Sequence, residues 1–184
     1  DTITFGHLTL STEGNEHGIE YGLARNDATG RQWRVRSAPR GSAAAAALDR
    51  EALVTRQLPE HLVEVPRRLE HRDHVILLYP DHTSTTLADL PADTLTLERY
   101  LDVAAATAEA LSRLHGLGVV HGGLRPSSVL VEDEGRIRFR HFAGTVASQA
   151  DPQAGAAVLS PATMAYAAPE QARIHRPACD VRSD

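Results

Sequence analysis

Residues 97–131 pass from a long helical stretch through a glycine turn and a polar loop into a short apolar run, and this succession restricts the fold more than any other feature. Leu97, Leu101, Ala104, Ala108, Leu111 and Leu114 keep a helical period, and Thr96 is placed to cap the first turn. Gly116 and Gly118 follow the helix after His115. Val119 and Val120 then lead into the loop around Pro126, and residues 129–131 read as a strand. A long helix that delivers a fixed loop between apolar segments is a scaffold for positioning a site.

Upstream, the pattern is strand-rich. Residues 3–10 read as a strand interrupted at Gly6, and the polar stretch 11–18 as a turn. Residues 19–25 and 31–36 form a hairpin through Asn26-Asp27-Ala28-Thr29-Gly30, and 37–41 is a loop. Ser42 caps a predicted helix over 43–58 that Pro59 stops. Five successive alanines give that helix high propensity and little to pack. Leu48, Glu51, Thr55 and Leu58 share one face, so Glu51 is either the polar edge of an amphipathic helix or a carboxylate awaiting a cation.

Residues 62–69 and 75–79 read as two further strands turned at 71–74. His71, Asp73 and His74 in that turn lack additional ligands for a metal. Residues 81–91 form the connector between a strand-rich part (1–80) and a helical part (92–184), with a short helical segment at 86–90. A hairpin turned at 132–135 joins 129–131 to 137–139, and 144–163 is a long aperiodic loop.

Composition narrows the function classes. The 19 basic against 24 acidic residues give a net charge of −5, which argues against nucleic acid. Apolar runs are too short to span a bilayer, and the single cysteine, Cys179, fits a reducing compartment, so a cytoplasmic location is expected. Because the chain starts at Asp1 without a methionine, it is expected to be a piece of something longer. Every basic residue is arginine: the chain has no lysine, and its only asparagines are Asn15 and Asn26.

His121, Leu124 and Pro126, then Ala168-Pro169-Glu170, then Ser183-Asp184 stand in the order and context in which the chain resembles a protein kinase. The resemblance implies an α+β, bilobal fold. Residues 1–80 would be an antiparallel-sheet N-lobe with one helix, and 92–184 a truncated helical C-lobe. That C-lobe would hold a catalytic-type loop at 121–128 and an activation-type segment at 141–170. Residues 166–184 are similar to a narrower group, the kinase-like N-terminal domains of large bacterial multidomain sensor histidine kinases.

Against the kinase pattern the chemistry departs at each critical position. Phosphoryl transfer depends on positioning and charge neutralisation. The nucleotide-anchoring lysine is matched by Arg36, with Glu51 as the helix glutamate. Arginine keeps the charge but not the point-charge geometry. Gly14, Gly18 and Gly22 do not make the phosphate-binding glycine pattern, and Glu13, Glu16 and Glu20 among them repel a triphosphate, so the glycines read as turn residues.

The base position is Gly123, the lysine after it Arg125, a magnesium ligand Ser128, and the metal-binding aspartate His141. Imidazole is a poor magnesium ligand. The resemblance leaves structural roles for four residues. His121 and Phe142 would pack in an internal column, Asp184 would anchor the loop backbone, and Glu170 would pair with an arginine further along the family's sequence. Gly122 replaces the arginine that often receives a loop phosphate, which puts regulation through Ser148, Ser160 or Thr163 by that route in doubt.

Three readings follow. The first is a catalytically inactive kinase-like module, without cofactor, that regulates a signalling protein through other domains of the same polypeptide or separate signalling proteins. The second is an ATP-binding, atypical transferase in which His141 titrates rather than fills space. The third is an unrelated α+β binding domain.

Overall fold

The computed structural model describes residues 2–5, 7–80, 85–91, 96–142, 146–147, 164–171 and 180–184. The fold is α+β, and the chain divides into two compact units: residues 1–57 with 64–82, and residues 58–63 with 83–184.

The first unit is a six-stranded antiparallel sheet with one helix. Its strands are β1 (Thr2–Phe5), β2 (Leu8–Glu16), β3 (Ile19–Asn26), β4 (Gln32–Pro39), β5 (Arg67–His71) and β6 (His74–Pro80), in the order β1-β2-β3-β4-β6-β5. The helix α1 (Ala43–Thr55) starts where Ser42 accepts a hydrogen bond from the Ala45 amide. Asn26 builds the β3–β4 turn by accepting from the amides of Ala28 and Thr29, both at 2.9 Å. α1 buries Ala45, Leu48 and Ala52 against Ile19, Ala38, Val75, Leu77 and Tyr79 on one face of the sheet. Leu10, Ala24, Val35, Ile76 and Leu78 form a second apolar cluster.

Two sequence expectations change here. The predicted strand over 3–10 is two strands, β1 and β2, paired from Phe5↔Leu8 outward. The expected polar turn at 11–18 is mostly strand, because β2 continues to Glu16 with a bulge between Thr12 and Gly14. Gly22 therefore lies within a strand rather than a turn. A Cβ there would sit 1.9 Å from the Ser11 carbonyl oxygen, so only glycine permits the close approach. His71-Arg72-Asp73 does fall in a tight hairpin, with His71 paired to His74 and Arg72 at φ 49°.

The second unit is built on α2 (Leu97–Gly116), capped by Thr96 accepting from the Arg99 amide. After it come β8 (Val119–Val120), β9 (Val129–Val131), β10 (Ile137–Phe139) and β11 (Val146–Ala147), with β7 (Thr85–Thr86) before it. β10, β9 and β7 form one small sheet, and β11 pairs with β8. The 86–90 segment is not helical: Thr86 pairs with Leu130, and the chain turns as the Asp89 amide donates to the Thr86 carbonyl.

The expected strand over 62–69 begins only at Arg67, past Pro66. Leu62 and Val63 are buried in this second unit instead, with the Phe139 amide donating to the Leu62 carbonyl. The buried face of α2 is also displaced from the predicted one. Val103, Ala110 and Leu114 are inside, while Leu97 and Leu101 stay exposed. Alanines carry too little apolar area to fix the phase of a helix, so Val103 and Leu114, on one face, set it.

Candidate functional site

In the first unit, strand pairing sets Arg36 opposite Leu77, and α1 presents Glu51 to the same face. Arg36 Nη1 donates to Glu51 Oε2 at 2.6 Å, and Tyr79 Oη donates to Glu51 Oε1 at 2.6 Å. Glu51 is completely buried and the Arg36 side chain is 14% exposed. Burial by itself lowers the Arg36 pKa, but the charge of Glu51, aided by Tyr79 and Glu16, outweighs it and leaves the guanidinium firmly charged. Burial, then the Glu51 charge, push the Tyr79 phenol well above its ordinary range.

Both Glu51 oxygens are thus engaged, and a guanidinium rather than an ammonium holds one of them. Tyr79 is a member of this cluster that sequence reasoning missed. Its signal was the two-residue step from Leu77 on one strand face, readable only once β4 and β6 are paired.

In the second unit, the loop after β8 is held from several sides. His121 is fully buried. Its backbone amide donates to Asp184 Oδ2 and the Gly122 amide to Asp184 Oδ1, both at 2.7 Å. His115 Nε2 lies 3.0 Å from Asp184 Oδ2. His121 Nε2 lies 2.9 Å from the Arg140 carbonyl, which can only accept, so Nε2 carries the proton. The His121 ring packs on Phe142 at 4.6 Å between centroids and on Phe139 at 6.1 Å.

Downstream, the Ser128 hydroxyl accepts from the Arg125 amide and donates to the Arg125 carbonyl, closing a turn over Pro126–Ser128. Arg140 Nε donates to the Ser127 carbonyl. A Cβ built on Gly123 meets no atom of the described residues within 4 Å, so their packing does not require glycine there. Glu170 accepts from the Ser183 hydroxyl at 2.5 Å, which holds its pKa below the usual carboxylate range. Gln171, also missed from sequence, is buried and donates to the Gly122 carbonyl at 2.9 Å.

Ser128 and His141 stand where the resemblance to kinases implies magnesium ligands. The Ser128 hydroxyl is committed within its own turn, and His141 offers imidazole where oxygen ligands are required. Between His121 and Phe142 the only carboxylates are Glu132, Asp133 and Glu134, at the tip of the β9–β10 hairpin. Among the described residues, no three His, Cys, Asp or Glu side chains converge as a metal site. Residues 148–163, with Ser148, Ser160 and Thr163, and Cys179 lie outside the described residues, and so does most of the expected 141–170 segment.

With this geometry in view, sequence comparison finds a consistent set of relatives. The chain is 36% identical over 88 residues to the DNA damage-responsive serine/threonine-protein kinase RqkA of Deinococcus radiodurans, a match covering 48% of this chain and 13% of that protein. It is 34% identical over 91 residues to serine/threonine-protein kinase PknA of Mycobacterium tuberculosis, covering 48% of this chain and 21% of the relative. It is 41% identical over 75 residues to serine/threonine-protein kinase AfsK of Streptomyces coelicolor, covering 40% and 9% respectively.

The similarity is to serine/threonine protein kinases. It is distant homology over about half of the chain, and the chain matches about a fifth or less of each relative's length. No protein-family model matches the chain. The sheet with a single helix in the first unit is compatible with a kinase N-lobe. No described helix is long and apolar enough to cross a membrane.

Proposed function

We propose that this chain is a catalytically inactive kinase-like domain that serves a signal-transduction protein as a regulatory or scaffolding module. The observation that carries this reading is the absence of any carboxylate from the 121–131 and 136–142 segments, where glycine, serine and histidine occupy the positions of the base and the metal ligands. Loss of a general base alone costs roughly 10²- to 10⁴-fold in rate, and loss of metal chemistry forfeits more. With no lysine in the chain, no ammonium is present to replace the anchor at Arg36.

The domain would act through contacts with other domains of its own polypeptide or with signalling proteins, in the cytoplasm. The similarity of residues 166–184 supports a parent protein of the large multidomain sensor histidine kinase type. The bilobal arrangement, with residues 1–80 and 92–184 as lobes around a connector at 81–91, belongs to this same reading.

Incubation with ATP, magnesium or manganese, and generic protein substrates tests it: no phosphate should be transferred. One observation favours a second reading, an ATP-binding domain with weak transferase activity. Arg36 and Glu51 do meet as an ion pair at the matched positions. A thermal-shift titration with ATP separates the two, because ligand that binds only the folded state raises its melting temperature.

A further inference from the structure

Three separate segments close a circuit around Gly122. Its amide donates to Asp184, and its carbonyl accepts from Gln171 Nε2. Next to those partners in sequence, the Ser183 hydroxyl donates to Glu170. Gln171 also accepts from the Ala168 amide through Oε1 at 2.8 Å, so its amide is engaged at both ends while only 7% exposed. The circuit therefore runs from the 121–122 backbone through Asp184 and Ser183 to Glu170 and Gln171, and back to Gly122. Gly122 holds φ at 71°, a conformation that residues with a Cβ rarely adopt.

We propose that this circuit is a constitutive clasp, in which Gln171 is the positioning residue that docks segment 164–171 on the 121–122 backbone with no phosphate-dependent input. Its regulatory meaning rests on the reading of the chain as an inactive kinase-like module. A segment switched by phosphorylation needs a cation to receive the phosphate. Here position 122 has no side chain, and the contact that docks the segment is a neutral amide donating to a carbonyl. A neutral, buried hydrogen bond is indifferent to ionic strength.

Hydrogen exchange by mass spectrometry on the full chain tests the clasp, with Gln171→Ala and with Gln171→Met, which keeps side-chain length without the amide. Both substitutions should speed exchange about tenfold in peptides covering 119–128 and 164–171, as expected for loss of one buried hydrogen bond, and leave peptides covering 74–80 unchanged. Acceleration confined to 164–171, or none, would overturn the clasp. In the unsubstituted chain, the Gln171 side-chain amide protons should be protected in exchange followed by NMR. Exchange as fast as that of an exposed glutamine would overturn the clasp even if both variants misfold. Phosphate transfer by a chain with an intact clasp would count against catalytic silence alone, and a silent chain without these exchange effects against the clasp alone.

Discussion

Arg36 Nη1 stands 2.6 Å from Oε2 of a fully buried Glu51, and Tyr79 occupies the other carboxylate oxygen. Removing one partner of such a pair leaves an uncompensated buried charge. Arg36→Ala should therefore lower stability by about 3–5 kcal/mol in denaturant unfolding. Arg36→Lys keeps the charge but loses the planar fork, and should fall between that variant and the unsubstituted chain. A loss under 0.5 kcal/mol for Arg36→Ala would mean that the pair does not tie α1 to the sheet.

Tyr79 gives the first unit an alkaline limit. Burial and the Glu51 charge raise the phenol's pKa in the folded state above its ordinary value near 10. A group raised in this way contributes its stability in full below about pH 10 and loses it as pH climbs toward the folded-state value. Unfolding free energy should fall between pH 10 and 12, and that slope should be shallower in Tyr79→Phe. At pH 7 the same variant should be about 1–3 kcal/mol less stable, because Glu51 Oε1 loses its donor. Equal alkaline slopes for the two proteins would contradict this assignment.

How far the sequence anticipates these relationships depends on side-chain size and on distance along the chain. Both helix starts, the β3–β4 and β9–β10 hairpins and the tight turn at His71–His74 are visible in it, because caps and turn residues act over two to four positions. The exposed Leu97 and Leu101 are not, since alanine-rich α2 leaves the buried phase to Val103 and Leu114. β2 reads as a turn because its polar residues pair through backbone rather than through an apolar face. Arg36 and Glu51 stand out by resemblance to kinases. Tyr79 and Gln171 need the strand register and the tertiary fold to bring them to their partners.

Asp184 collects the amides of His121 and Gly122 on two different oxygens. Asp184→Asn keeps the shape but replaces one acceptor with a donor, so one amide loses its bond. A cost of about 1.5–3 kcal/mol is expected, as for hydrogen bonds to a charged group. The His121 and Gly122 amides should exchange faster than in the unsubstituted chain, and unchanged protection at both would remove Asp184 as the anchor of the loop.

Among the described residues, no atom lies within 4 Å of a Cβ on Gly123, which leaves room for a side chain. Gly123→Asp should change stability by no more than about 0.5 kcal/mol, as surface substitutions usually do. On the proposed reading that single carboxylate should still give no phosphate transfer, because a guanidinium, a hydroxyl and an imidazole remain at Arg36, Ser128 and His141. Activity in this one-residue variant would show that those other departures do not matter.

Intact-mass measurement after prolonged incubation with ATP and magnesium or manganese bears most directly on catalytic silence. A catalytically silent domain keeps an unchanged mass and puts no label on added protein substrates. Autophosphorylation that disappears in Arg36→Ala, with that variant still folded, would contradict catalytic silence.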